Sequence, residues 1–191
     1  SSSSSLSSSL VVGVYIRHGD KHAEMPLIPF QMYADMAQKM WDQGLVHVRD
    51  PSQRKIEEGR NGTGTMFFGT EDPEALQEAV NWGRKTGWTV LYTNLFPREN
   101  VIAADKQRQT GARSHHHDLE YLSMLLNIDY YLRCDAWVGT MASNWCRIVD
   151  ELRNTVAGKA DLWNADVSHF GHTVHKGFFF DSANSIQVTR T

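Results

Sequence analysis

Cysteine is scarce in this chain, long apolar runs are missing and positive charge is not in surplus. Each shortage removes a class of protein. Two cysteines, Cys134 and Cys146, occur in 191 residues. Their spacing is not that of a CxxC metal pair, and two thiols make no disulfide framework, so they leave the redox compartment open. No stretch approaches the roughly 18–20 consecutive apolar residues of a membrane span. The N-terminus has neither the basic region nor the apolar run of a signal peptide. A formal net charge of −3 is not that of a bulk nucleic-acid binder, which is normally basic. GxGxxG and Walker patterns are absent, which disfavours the standard dinucleotide and P-loop readings. No internal repeat is visible.

What is present points to a globular domain. Hydrophobic residues make up 41% of the chain and charged residues 21%, which favours a folded class over a disordered one. The length suits one domain with a substantial core, or half of a larger protein. Eight of the first ten residues are serine, so residues 1–9 read as a low-complexity linker. This segment runs straight into an apolar strand, which suggests a fragment whose upstream partner is missing.

Val11 to Ile16 is the first predicted strand, and it stops abruptly at Arg17-His18-Gly19-Asp20-Lys21. Apolar residues at helical spacing predict a helix from about Pro29 to Gly44. Leu45 to Val48 suits a short strand, and the polar stretch from Asp50 to Gly64 reads as a loop. That loop carries Asn61-Gly62-Thr63, a glycosylation sequon meaningful only in a secretory lumen. Thr65 to Thr70 is a second strand, followed by Glu71-Asp72-Pro73 and a helix to about Lys85. Acidic residues and proline both suit a helix start. Trp88 to Tyr92 is a third strand. Phe96 to Arg113 is polar and basic and reads as a long functional loop. A helix from Asp118 to Leu132, a strand from Ala136 to Gly139 and a helix from Trp145 to Arg153 follow. The domain is expected to span 10–158, with an irregular tail at 159–191 holding one strand or none. Alternating strands and helices imply an α/β fold with a parallel sheet and right-handed crossovers.

Three predicted strand ends carry polar clusters: Arg17 to Lys21, Thr70 to Asp72, and Thr140 to Asn144. In a parallel sheet all three lie on one edge. They would combine a cation, carboxylates and a helix N-terminus, which together suit a phosphorylated ligand. Arg17 would meet a phosphate with parallel charge-assisted bonds. Each cluster also has a plainer explanation. Arg17, Asp20 and Lys21 can form a solvated turn, Ser143 can be a helix N-cap, and Glu71-Asp72 can be a helix start. Glu24 is a possible general base, although a surface position before the helix explains it equally simply. His115-His116-His117 on a helix would point in different directions. His169, His172 and His175 share a face only on a helix, which the neighbouring glycines and aromatics oppose. Neither set is read as a metal site.

The ordered blocks VGVYIRHGDKHAEMPLIPFQMYADM, MFFGTEDPEALQEA and IDYYLRCDAWVGTMASNWCRIVDELR resemble those of the α1,6-fucosyltransferases. That family includes the N-glycan core fucosyltransferases and the rhizobial Nod-factor fucosyltransferases. The resemblance covers roughly residues 11 to 153. It implies a Rossmann-like domain, specifically the C-terminal, donor-binding half of a GT-B glycosyltransferase, with the N-terminal GT-B domain as its missing partner. It further implies an inverting, metal-independent enzyme of the Golgi lumen that uses no cofactor and moves fucose from GDP-fucose to a glycan. By position, Arg17 matches the Arg that holds the donor β-phosphate, and Lys21 and Glu24 match residues near the acceptor, Glu24 as general base. Asp20 belongs to the same donor-side cluster. Glu71 and Asp72 match the paired carboxylates, and Ser143 and Asn144 the phosphate-contacting turn. Asp129 matches the helix Asp that reads guanine, although a gapless alignment to Asp135 puts Asn127 there. The chain departs from the family pattern where Tyr15 replaces His, His18 the second Arg, Glu71 the first Asp and Ala142 the first Ser. One residue is also missing between Lys21 and Glu24. These departures keep a second reading open, a non-catalytic nucleotide-sugar-binding or interaction domain.

Overall fold

The computed structural model describes residues 10–18, 27–46, 63–93, 116–168, 173–177 and 185–187. Seven strands and four helices lie within them. In chain order these are β1 (Val11–Ile16), α1 (Phe30–Asp42), β2 (Thr65–Thr70), α2 (Pro73–Thr86), β3 (Thr89–Leu91), α3 (His116–Arg133), β4 (Ala136–Gly139), α4 (Asn144–Thr155), β5 (Trp163–Asp166), β6 (Thr173–Lys176) and β7 (Ser185–Gln187). The strands form one sheet in the order β3-β2-β1-β4-β5-β6-β7. The first five are parallel, and β6 and β7 are antiparallel. This is a Rossmann-like α/β fold.

Side chains alternate across the sheet, and the alternation divides the core into two layers. Val12, Val14 and Ile16 of β1, Met66 and Phe68 of β2, and Ala136 and Val138 of β4 pack with Phe30, Tyr33, Met36 and Met40 of α1 and with Ala75 and Ala79 of α2. On the opposite face, Phe67 and Trp137 pack with Tyr131 of α3 and with Cys146 and Val149 of α4. This second face is crowded with rings, and glycine makes room for them. A Cβ on Gly13 would lie 3.1 Å from both Cys134 Sγ and Trp137 Cε3. A Cβ on Gly69 would occupy the place taken by the Tyr131 hydroxyl.

The end of α3 is held by two cations. Arg153, fully buried, donates from Nη1 to the carbonyls of Tyr131 (2.5 Å) and Cys134 (2.9 Å), and from Nε to Asn164 Oδ1 (3.2 Å). Lys159 Nζ donates to the carbonyls of Arg133 (2.9 Å) and Cys134 (2.7 Å). Positive groups at a helix C-terminus satisfy its orphan carbonyls and complement its dipole. Burial pulls the Arg153 guanidinium down to about 10.

Two expectations are corrected. Strands β5, β6 and β7 occupy the region expected to be an irregular tail, and the sheet runs on past residue 158. The signal failed because β5 is Trp163-Asn164-Ala165-Asp166. Its Asn164 and Asp166 are fully buried yet are residue types that mark turns. Leu45 and Val46 are not in a strand, and 47–48 lie outside the described residues, as do the loop expected at 96–113 and the sequon's Asn61 and Gly62.

Candidate functional site

Strand order fixes where a site can form. From β1 the chain moves outward through β2 to β3, then returns to place β4 on the other side of β1. The crevice beyond the carboxyl ends of β1 and β4 is therefore a topological switch point, where open α/β sheets bind ligands. The registers pair Ile16 with Thr70 and Val14 with Val138. The three polar strand ends therefore do lie along one edge.

Two side-chain pairs tie β1 to β2 there, one on each face. Arg17 Nη1 bonds Glu71 Oε1 at 2.7 Å, and the Tyr15 hydroxyl donates to Glu71 Oε2 at 3.1 Å. These lie on the α3/α4 face, where Tyr15 packs edge-on to Tyr131 with ring centroids 6.1 Å apart. On the α1/α2 face, His18 Nδ1 is 2.6 Å from Asp72 Oδ2 and Nε2 is 2.9 Å from the Ile28 carbonyl oxygen. Asp72 also caps α2, its Oδ1 accepting from the Glu74 amide at 2.8 Å. Burial raises the Asp72 pKa, but the His18 bond, the Glu74 and Ala75 amides and the His18 charge outweigh it, and the net shift is downward. Tyr15 moves up, first through burial and then through the Glu71, Tyr131 and Cys146 charges, against the opposing Arg17.

The β4–α4 turn forms the other wall. Ser143 is buried at the N-cap of α4 and makes no side-chain capping bond. In α2, by contrast, the Asp72 carboxylate already takes an amide. Asp166, at the end of β5, holds the turn in place. Its Oδ1 accepts from the Met141 amide at 2.8 Å and the Ser168 amide at 2.9 Å, and its Oδ2 from the Ser168 hydroxyl at 2.6 Å. Sequence reading missed Asp166, because the strand that carries it was not recognised. Beneath the turn, burial pushes the Cys146 thiol up to about 12. Cys134 is pushed up to about 12 in the same way, so neither thiol is an activated nucleophile.

Arg17, Glu71, Asp72, Ser143 and Asn144 therefore share one edge of the sheet. Asp129 is not among them. It lies on the exposed side of α3, bonded through both carboxylate oxygens to Arg133, at 2.9 and 3.1 Å. Asn127 lies closer to the edge, its Oδ1 accepting from Thr93 Oγ1 at 2.9 Å just past β3. Asp20, Lys21 and Glu24 lie outside the described residues. His175 is on β6, not on a helix, and contacts buried Asp150 at 3.3 Å. Among the described residues, no group of three or more His, Cys, Asp or Glu is gathered to hold a metal. No described helix is long and apolar enough to cross a membrane. The molecule is thus a doubly wound α/β domain with polar side chains gathered at its switch point. No family model matches the chain, and no curated protein does either.

Proposed function

We propose that this domain binds a nucleoside diphosphate-sugar at the β1/β4 switch point and forms the donor half of a glycosyltransferase. The specific reading is an α1,6-fucosyltransferase-like enzyme, inverting and metal-independent, that carries fucose from GDP-fucose to a glycan hydroxyl in the Golgi lumen. The observation that carries this reading is Arg17 at the end of β1, bonded to Glu71, on a strand whose parallel neighbour β4 leads into a helix whose N-cap Ser143 makes no side-chain cap. A guanidinium and helix amides together form an anion site. In this mechanism they stabilise the diphosphate as it leaves, supplying the charge compensation of the transition state. Glu24 would take the proton of the attacking hydroxyl and Lys21 would stand near the acceptor. Glu71 would hold Arg17 rather than act on substrate, since both of its oxygens are bonded. The N-terminal GT-B domain would supply the acceptor side.

Titration calorimetry with GDP, GDP-fucose and UDP tests the reading. GDP and GDP-fucose should bind and UDP should bind more weakly. Arg17→Ala should weaken GDP about 10- to 100-fold, the worth of a charge-assisted bond. Absence of GDP binding overturns the reading.

A second reading, a binding domain without transfer, is favoured by the engagement of two of the residues that depart from the family pattern. Tyr15 and His18 are each bonded to a carboxylate at the end of β2. Under it GDP-fucose binds, but no fucose reaches any acceptor glycan when the full protein is assayed.

A further inference from the structure

We infer that Tyr15 is a positioning residue that fixes the Arg17 guanidinium through Glu71. The inference rests on the donor-site reading above and deepens it.

The geometry forms a chain of three groups. Tyr15 and Arg17 are two residues apart, so they leave β1 on the same face of the sheet. Tyr15 lies opposite Gly69 in the register with β2. Extending that register by two places Arg17 opposite Glu71. Gly69 has no side chain, so the Tyr15 ring lies across it, with Cδ2 only 3.3 Å from where a Cβ would stand. The hydroxyl thereby reaches Glu71 Oε2 at 3.1 Å, while Oε1 of the same carboxylate takes Arg17 Nη1 at 2.7 Å.

The three groups differ in stiffness. Arg and Glu are long, rotamer-rich side chains, and here both remain partly exposed. Tyrosine has two side-chain torsions, and this one is wedged against Tyr131 and Trp145, at ring centroid separations of 6.1 and 6.2 Å. The rigid ring anchors one carboxylate oxygen, and the carboxylate orients the guanidinium with the other. Because burial holds the Tyr15 hydroxyl well above its ordinary pKa, it stays a donor across the working pH range. The orientation matters because an Arg recognises a diphosphate through the plane of its fork, not as a point charge.

Two readouts test this, one without ligand and one with GDP. In the full chain, nitrogen NMR should show slow rotation of the Arg17 Nη groups in wild type and faster rotation in Tyr15→Phe, which keeps the ring and loses only the hydroxyl. Unchanged Nη rotation in Tyr15→Phe overturns the inference whether or not GDP binds. By calorimetry, Tyr15→Phe should weaken GDP about fivefold to tenfold, the scale of one hydrogen bond. The same change made in a Glu71→Ala background should have almost no further effect, because the relay is already broken. An equal loss in both backgrounds would mean that Tyr15 touches the ligand itself, and would also overturn the inference. A lowered melting temperature with Nη rotation and GDP affinity unchanged would reduce Tyr15 to a packing residue. If GDP fails to bind wild type while Nη rotation responds as expected, the relay stands and the nucleotide reading falls.

Discussion

Gly69 shows how one residue sets the shape of the candidate site. The Tyr131 hydroxyl lies where its Cβ would be, and the Tyr15 ring lies across the same space. Gly69→Ala should therefore destabilise the fold by about 1–3 kcal/mol, the usual cost of overpacking, measured by denaturant unfolding. Adding Tyr131→Phe removes the atom in the way and should recover most of that loss, which identifies the clash as the cause. If the double variant is no more stable than Gly69→Ala alone, the hydroxyl is not the obstacle. A glycine inside an apolar strand suggested close approach in principle, but which atom approaches is decided by α3, some sixty residues further on.

At the scale of elements, β1 to β4 were legible in the sequence and β5 to β7 were not. β1, β2 and β4 are short apolar runs that end in polar clusters, so their ends could be aligned from sequence alone. β5 hid because two of its three buried positions are Asn164 and Asp166, partnered by the Arg153 guanidinium and the Met141 amide. A polar residue satisfied by a distant partner leaves no hydrophobic period to read. The same network gives an ordered prediction for α3. Arg153→Met removes a donor from both the Tyr131 and the Cys134 carbonyl, and should cost about 2 kcal/mol. Lys159→Met should cost less, about 1 kcal/mol or below, because Arg153 still serves Cys134. Thermal or denaturant unfolding of the two variants checks the order, and a larger loss at Lys159 would contradict this account of the helix end. Ser143 also resisted sequence reading. A serine before an apolar helix suggests a cap, and only the structure shows that this one makes no capping bond.

For the whole molecule, the sequence foretold a parallel α/β sheet with a polar edge, and the strand order makes that edge a crevice. Periodicity carries no information on which strands are neighbours, so the reversal between β1 and β4 could not be read from the chain. That reversal also governs how the molecule assembles. β1 is flanked by β2 on one side and by β4 on the other, and the bond from the Val11 amide to Asp135 spans 124 positions in the chain. As the polypeptide emerges from the ribosome, β1, α1, β2, α2 and β3 can associate before β4 exists. Until β4 arrives, this nascent half presents an unpaired apolar edge along Val12, Gly13 and Val14, the kind of edge that templates association with other chains. Refolding yield should therefore fall steeply as protein concentration rises. A chain truncated before β4 should aggregate at concentrations where the full chain stays dispersed, as light scattering would record. The strand that carries Arg17 to the site is thus also a seam that stays open until β4 is made, so the strand order that gathers the site leaves the newborn chain vulnerable there.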